Sequence, residues 1–256
     1  MRAGERRRSP DRFNSPSTLQ AMYSTETTSL TPTESGNDTD MSLKVGKIYD
    51  WKTLVANHTQ FAMMLPCYLL SYIGFSSRLD PAITESVMVT MNSHNTCPYC
   101  TGLHGQLARM AGLSEPDPSD PHVVYAKTFA LESGRGGDVE AAYAKLVDVI
   151  GAAKARNVRA LCWALLWGKT TGNSINAARD KILTLKLTKV TLLDIFVLAY
   201  YGPLFIVIGL LNAALTIMPA IPKGASAALG VVLWVPQALN ILPLGLLSII
   251  LSLGVV

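Results

Sequence analysis

Glu85-Ser-Val-Met-Val-Thr-Met-Asn-Ser-His-Asn-Thr-Cys97-Pro-Tyr-Cys100-Thr-Gly-Leu-His104 brings two thiols, an imidazole and a carboxylate into one short stretch. The local pattern is that of two helices meeting at the first cysteine. Asp80-Pro81 supplies an N-cap followed by a proline at the first helical position, so a helix is expected over 81–94. Asn95-Thr96-Cys97-Pro98 repeats the signal, and a second helix is expected from near Cys97 to near Gly112. In it Cys97, Cys100 and His104 stand at i, i+3 and i+7, on one face. Cys100 and His104 are i, i+4 neighbours, so thiol and imidazole meet directly or through one water.

The chemistry follows from that face. The thiolate is the reactive form of cysteine, and a helix N-terminus or a neighbouring histidine lowers its pKa. A second cysteine three residues away captures an oxidised first one as a disulfide before it is oxidised further. The constellation suits a redox dithiol.

The spacing Glu-x11-Cys-x2-Cys-x3-His, carried by Glu85, Cys97, Cys100 and His104, resembles the alkylhydroperoxidase D-like (AhpD-like) group of the carboxymuconolactone decarboxylase family. The resemblance covers roughly residues 45–185, including Phe129-Ala-Leu-Glu and the run from Val139 to Ile182. It implies an all-α helical bundle that forms a homo-oligomer, with thiol peroxidase or disulfide reductase activity. By that resemblance Cys100 attacks the peroxide, His104 assists its deprotonation, Glu85 supports the relay and Cys97 resolves. No cofactor and no metal is expected. The chain departs from the family pattern at Tyr99, where better-known members carry histidine. A phenol with a pKa near ~10 is no base at neutral pH, although it donates hydrogen bonds. Helix-end electrostatics favour Cys97 as nucleophile; the resemblance and the i, i+4 histidine favour Cys100, which is the assignment taken here.

Other readings of the same residues are weaker. Cys-Pro-Tyr-Cys is also a glutaredoxin sequence, but that fold needs a preceding strand, and the segment before Cys97 is helical in pattern. A zinc site could recruit His94 beside Cys97, Cys100 and His104. Ligands crowded on one short helix close a tetrahedron badly, and there is no second CxxC. Cysteines also simply pack in cores, which is the reading given to Cys67 and Cys162, both in apolar runs. His58 and His122 have no companion motif and are expected to be structural or exposed.

The 256 residues are 49% hydrophobic and 16% charged, below the quarter usual for soluble domains, and the average hides three unlike regions. Residues 1–42 are rich in Ser and Thr, carry Arg2, Arg6, Arg7, Arg8 and Arg12, and lack the apolar residues needed for a core; a disordered tail is expected. The formal charge of +4 owes much to those arginines, so no nucleic-acid groove is inferred. Residues 43–188 read as the helical domain. Phe61 to Ile73 is an apolar run interrupted at Pro66, taken as a buried helix. On the 81–94 helix Ile83, Val87 and Met91 line one side, and Glu85 and Asn92 share another. A buried Glu85 needs a partner or a raised pKa; an exposed helix-start glutamate is the plainer alternative. Further helices are expected from Pro121, from a cap at Asp138 to about Ile150, and over about 156–182. Gly168 and Gly172 lie inside the last, and close helix packing is expected to account for them. No strand pattern is visible.

Residues 189–256 form the third region. From Val190 on, only Asp194 and Lys223 are charged. The runs 195–218 and 225–256 each exceed the ~20 residues that cross a bilayer, and the chain is expected to end in a two-helix membrane hairpin. Lys181, Lys186 and Lys189 precede the first run, which by the positive-inside tendency faces the helical domain toward a reducing compartment, the cytosol or an organelle matrix. The expected protein is therefore a membrane thiol oxidoreductase that uses an external dithiol reductant on peroxides, lipid hydroperoxides among them, or disulfides. The alternatives are a non-redox decarboxylase or isomerase working through His104, or a membrane structural or assembly protein that retains the fold.

Overall fold

In the computed structural model the described residues are 46–74, 76–95, 116–217 and 225–253. They are all helical apart from turns, with no strand among them. The helices are α1 (Trp51–Ile73), α2 (Pro81–His94), α3 (Pro121–Glu132), α4 (Gly137–Ile150), α5 (Ala152–Leu183), α6 (Leu192–Ile217) and α7 (Ala225–Leu253). A 3-10 turn, Leu187–Lys189, sits between α5 and α6. The residues expected to form a helix from Cys97, the N-terminal tail and the turn after Met218 lie outside the described residues.

Local chemistry sets several of the helix ends. Asp50 caps α1 with a reciprocal box: its carboxylate accepts from Thr53 N at 2.6 Å, and Asp50 N donates to Thr53 Oγ1 at 3.0 Å. Asp80 caps α2 through Ala82 N at 2.8 Å, with Pro81 at the first position as the sequence predicts. α3 ends on Ser133 and Gly134, both left-handed, and Gly134 N closes onto the Phe129 carbonyl at 2.9 Å. Two readings change. Pro66 does not interrupt the apolar run: α1 continues through it, with Pro66 on the exposed side. Asp138 is not a cap but a first-turn residue, since α4 starts one residue earlier behind Gly136. There it still complements the helix dipole.

The packing has three tiers. α1 and α5 lie together in the middle. α6 packs on α5 and α7 on α1, while α2, α3 and α4 pack on α5 and on each other. Phe61, Trp167, Phe129, Leu161, Leu166, Tyr201 and Ile241 are all essentially fully buried, so the α6 and α7 side chains share one core with the rest. The chain from Met41 onward is one compact unit, and core packing crosses the boundary expected near 188. At the α1–α7 contact, any Cβ on Gly245 would run into the Ala62 Cβ, so the two helices meet there because residue 245 has no side chain. Gly168 differs: a Cβ there would meet nothing within 4 Å, so close packing does not explain it.

α6 enters this arrangement through a polar clamp. Lys181, at the end of α5, reaches both Asp194 oxygens at 2.8 and 2.9 Å, and Asp194 also accepts from Thr191 N and Oγ1. The one acidic residue of the apolar third is thereby satisfied where the chain turns back along α5.

Candidate active site

Of the four residues singled out in the sequence, Glu85 is described; Cys97, Cys100 and His104 lie outside the described residues. Glu85 sits on the second turn of α2 and is 2% exposed, which removes the plainer reading of an exposed helix-start glutamate. Desolvation pushes its pKa up to about 8. Among the described residues its Oε2 has no hydrogen-bond partner, and neither does the buried Asn92 Oδ1, two helical turns further along the same side. The Tyr72 phenol is held well above its ordinary pKa, first by burial, then by Tyr68, whose hydroxyl lies 3.4 Å away, and also by the Glu85 carboxylate. Among the described residues this carboxyl group has no ion-pair partner, and burial favours its neutral form.

α2 leads directly into the dithiol segment. Its C-cap, Asn95, is buried and donates through Nδ2 to the Ala130 carbonyl at 3.3 Å. The Asn95 carbonyl accepts from Lys169 Nζ at 2.6 Å. Lys169 is 1% exposed, an amine set inside the protein at the point where the chain is two residues from Cys97. Sequence reasoning passed over it, although it is the sole charged residue between Arg159 and Arg179. That isolation within a neutral helical run was the available signal. His94, weighed as a zinc ligand, places Nδ1 3.0 Å from the Thr90 carbonyl and 2.9 Å from Ser93 Oγ, a local arrangement on its own helix.

The other titratable groups have structural settings. Cys162 is fully buried, and burial raises its thiol pKa strongly, which leaves it inert as a nucleophile. Cys67 is a free, half-buried thiol on α1. His122 is half-buried beside Asp120, and desolvation lowers its pKa. His58 joins three helices. Its Nδ1 donates to the Leu54 carbonyl at 2.6 Å, and its Nε2 faces the Trp167 indole N–H at 3.1 Å and the Tyr201 hydroxyl. Burial brings its pKa down to about 4, the neutral tautomer those contacts require.

Among the described residues, α6 is the one helix long and apolar enough to cross a membrane, over Leu192–Leu211 with a mean hydropathy of 2.0; α7 contains a shorter apolar stretch, Val231–Leu247. Comparison with protein-family models, with curated proteins and with solved structures gave no match in any of the three.

Proposed function

We propose that the chain is a membrane-associated thiol oxidoreductase whose Cys97–Cys100 pair cycles between dithiol and disulfide. Cys100 thiolate attacks the distal oxygen of a hydroperoxide, which leaves as the alcohol and converts Cys100 to the sulfenic acid. Cys97 thiol then displaces water to form the disulfide, and an external dithiol returns both sulfurs to the reduced state. With a disulfide substrate the first step is thiol–disulfide exchange instead. His104 takes the Cys100 proton and returns it to the departing alkoxide, and Glu85 supports that relay from behind. The α6–α7 pair is the lipid-contacting element, arranged in the sequence reading as a hairpin, and a homo-oligomer is part of the same reading.

The observation that carries the reading is Glu85. Its carboxyl is buried, has an unpartnered oxygen and a pKa pushed up to about 8, and lies on the helix that runs into Cys-x2-Cys-x3-His. Burying such a group without a partner is costly for a purely structural residue, and its raised pKa suits proton transfer near neutral pH. Lys169 supports the same assignment, because a nearby cation favours a thiolate.

The test is a count of free thiols on the full-length chain in detergent after peroxide treatment and denaturing alkylation. The full chain is required because a fragment ending at 188 would uncover the core face that Tyr201 and Ile241 fill. The expected result is the loss of two of the four thiols, with a Cys97–Cys100 linkage recovered by peptide mapping and restored by a dithiol. Four thiols that survive both peroxide and a disulfide substrate would remove the redox assignment.

A further inference from the structure

The apolar helices are not set apart from the charged part of the molecule; they lie lengthwise against it. α6 is clamped to the end of α5 by Lys181 and Asp194, and its middle rests on α5, with Phe205 6.5 Å from Trp167. Four residues back along α5, about 6 Å of helix rise, Trp163 meets Phe129 of α3 at 5.1 Å. The middle of α6 is therefore level with α3, across α5. α3 and α4 show exposed charges there: Lys127, Glu132, Asp138, Glu140, Lys145 and Asp148.

The exposed positions of α6 and α7, and most of those of α1, are apolar instead. On α6 the exposed positions Leu192, Ile195, Ala199, Pro203, Ile206 and Leu210 recur at three- and four-residue intervals. On α7 the exposed stripe is Val232, Val235, Leu239, Leu242, Leu246 and Ile250. α1 adds Val55, Met63, Pro66, Leu70 and Ile73, and its polar Asn57 and His58 turn inward to Arg135 and to the Tyr201–Trp167 pair. Each stripe follows the helical period, so each marks one face.

A bilayer crossed by α6 would be centred near the level of Phe205. It would then submerge Lys127 and Glu132, which lie at nearly the same height. Lipid can cover the apolar stripes without covering those charges only if the helices lie along the membrane surface. We infer that α6 and α7 sit in the plane of the bilayer, embedded in one leaflet, with α1 beside them and α3–α4 in water. The occupant of the apolar face is thus the acyl region of a single leaflet, and the protein is monotopic. The inference rests on the membrane contact proposed above and replaces the crossing hairpin with a one-sided attachment. It also keeps α2, which leads into the dithiol segment, on the same side of the membrane as the lipid-embedded helices, which suits an amphiphilic hydroperoxide drawn from that leaflet.

Two measurements test it on the full chain reconstituted into phosphatidylcholine–phosphatidylglycerol vesicles. In a background with Cys67, Cys97 and Cys100 changed to Ser and Cys162 to Ala, nitroxides are placed in turn at Leu192, Ile195, Ile206 and Leu210, and their depths are measured by paramagnetic accessibility. An in-plane α6 gives one shallow depth at all four sites, ~5–10 Å below the headgroups. A crossing α6 gives a depth that rises and falls by about 15 Å along the helix, and that result overturns the inference. The second measurement uses the unmodified chain and does not depend on the cysteine replacements. A membrane-impermeant amine reagent is applied to sealed vesicles, and Lys186 and Lys223 are read by mass spectrometry. Modification of both on the same molecules is expected; modification of one to the exclusion of the other overturns the in-plane arrangement. Nitroxides that meet no lipid but couple to those of a second copy overturn it as well, together with the membrane part of the functional reading. The thiol chemistry is unaffected by any of these outcomes, because it is counted separately on the wild-type chain.

Discussion

Two buried titratable groups lie within this helical core in opposite states. His58, between α1, α5 and α6, has a partner for each ring nitrogen: the Leu54 carbonyl on one side, and the Trp167 indole and Tyr201 hydroxyl on the other. Glu85, on α2, has an oxygen with no partner, and Asn92 on the same side of the helix has another. Both groups are almost inaccessible. A satisfied buried group fixes a packing arrangement. An unsatisfied one retains hydrogen-bonding and proton-accepting capacity at a cost in stability. The contrast separates a group that holds this fold together from one that the proposed function would use.

The comparison is broken or sharpened by substitution at each site. The largest effect on stability is expected at His58. His58→Ala leaves the Trp167 N–H and Tyr201 hydroxyl without an acceptor and opens a cavity, for a loss of about 3 kcal/mol in denaturant unfolding. Thiol reactivity of the molecules that remain folded should be unchanged. A stable His58→Ala chain with altered thiol chemistry would reverse the two assignments.

Glu85→Gln should do the opposite. Peroxide-dependent thiol loss should slow by roughly 100-fold, the lower range for a lost acid–base group, while stability near neutral pH holds or rises. The pH dependence of stability has a definite sign. The folded pKa of Glu85, about 8, lies above the ordinary 4.5, so the folded chain retains a proton that the unfolded chain loses between those values. This contribution to stability is complete below pH 4.5 and is lost as pH rises to about 8, with a slope of at most ~1.4 kcal/mol per pH unit. Glu85→Gln should flatten that slope in urea titrations taken at several pH values; an unchanged slope would show that Glu85 ionises normally.

Lys169→Met should give a smaller change. Its ammonium lies on the Asn95 carbonyl, and two residues of chain reach at most ~7 Å. If its charge favours the thiolate, its loss should raise the dithiol pKa, read from the pH dependence of alkylation. An unmoved thiol pKa would make Lys169 purely a brace for the end of α2. The smallest effect expected is at Gly168, where the space is open. Gly168→Ala should stabilise the chain by about 0.5–1 kcal/mol without touching reactivity.

These particular residues also show what the sequence could reveal. α2 was legible at both ends because Asp80-Pro81 starts it locally and the start signal read at Asn95 bounds it, where the structure has Asn95 as its C-cap. The extents of α6 and α7 followed from composition alone. The burial of Glu85 was weighed from the apolar surroundings of its helix. The α4 start was misplaced because Asp138 resembles a cap while glycines actually turn the chain, and Pro66 looked like an interruption that α1 absorbs. His58 was read as structural or exposed without its partners, and Lys169 escaped notice, for a different reason. Their partners, Trp167 and Tyr201 for one and Asn95 for the other, lie far away in sequence, and no periodicity records a contact of that range. The shared core of α6 and α7 with α1 and α5 escaped for the same reason, since hydropathy reports that a helix is apolar and not what it packs against.

The central claim is that Cys100 is a nucleophile served by His104, with Glu85 behind it. The most direct measurement is the rate of peroxide-dependent thiol loss on the full-length chain, wild type beside Cys100→Ser, His104→Ala and Glu85→Gln. The account predicts rapid loss of two thiols in the wild type, none of that loss in Cys100→Ser, and slowed loss in the other two variants. Equal rates in wild type and Cys100→Ser, or no loss in any of them, would contradict it.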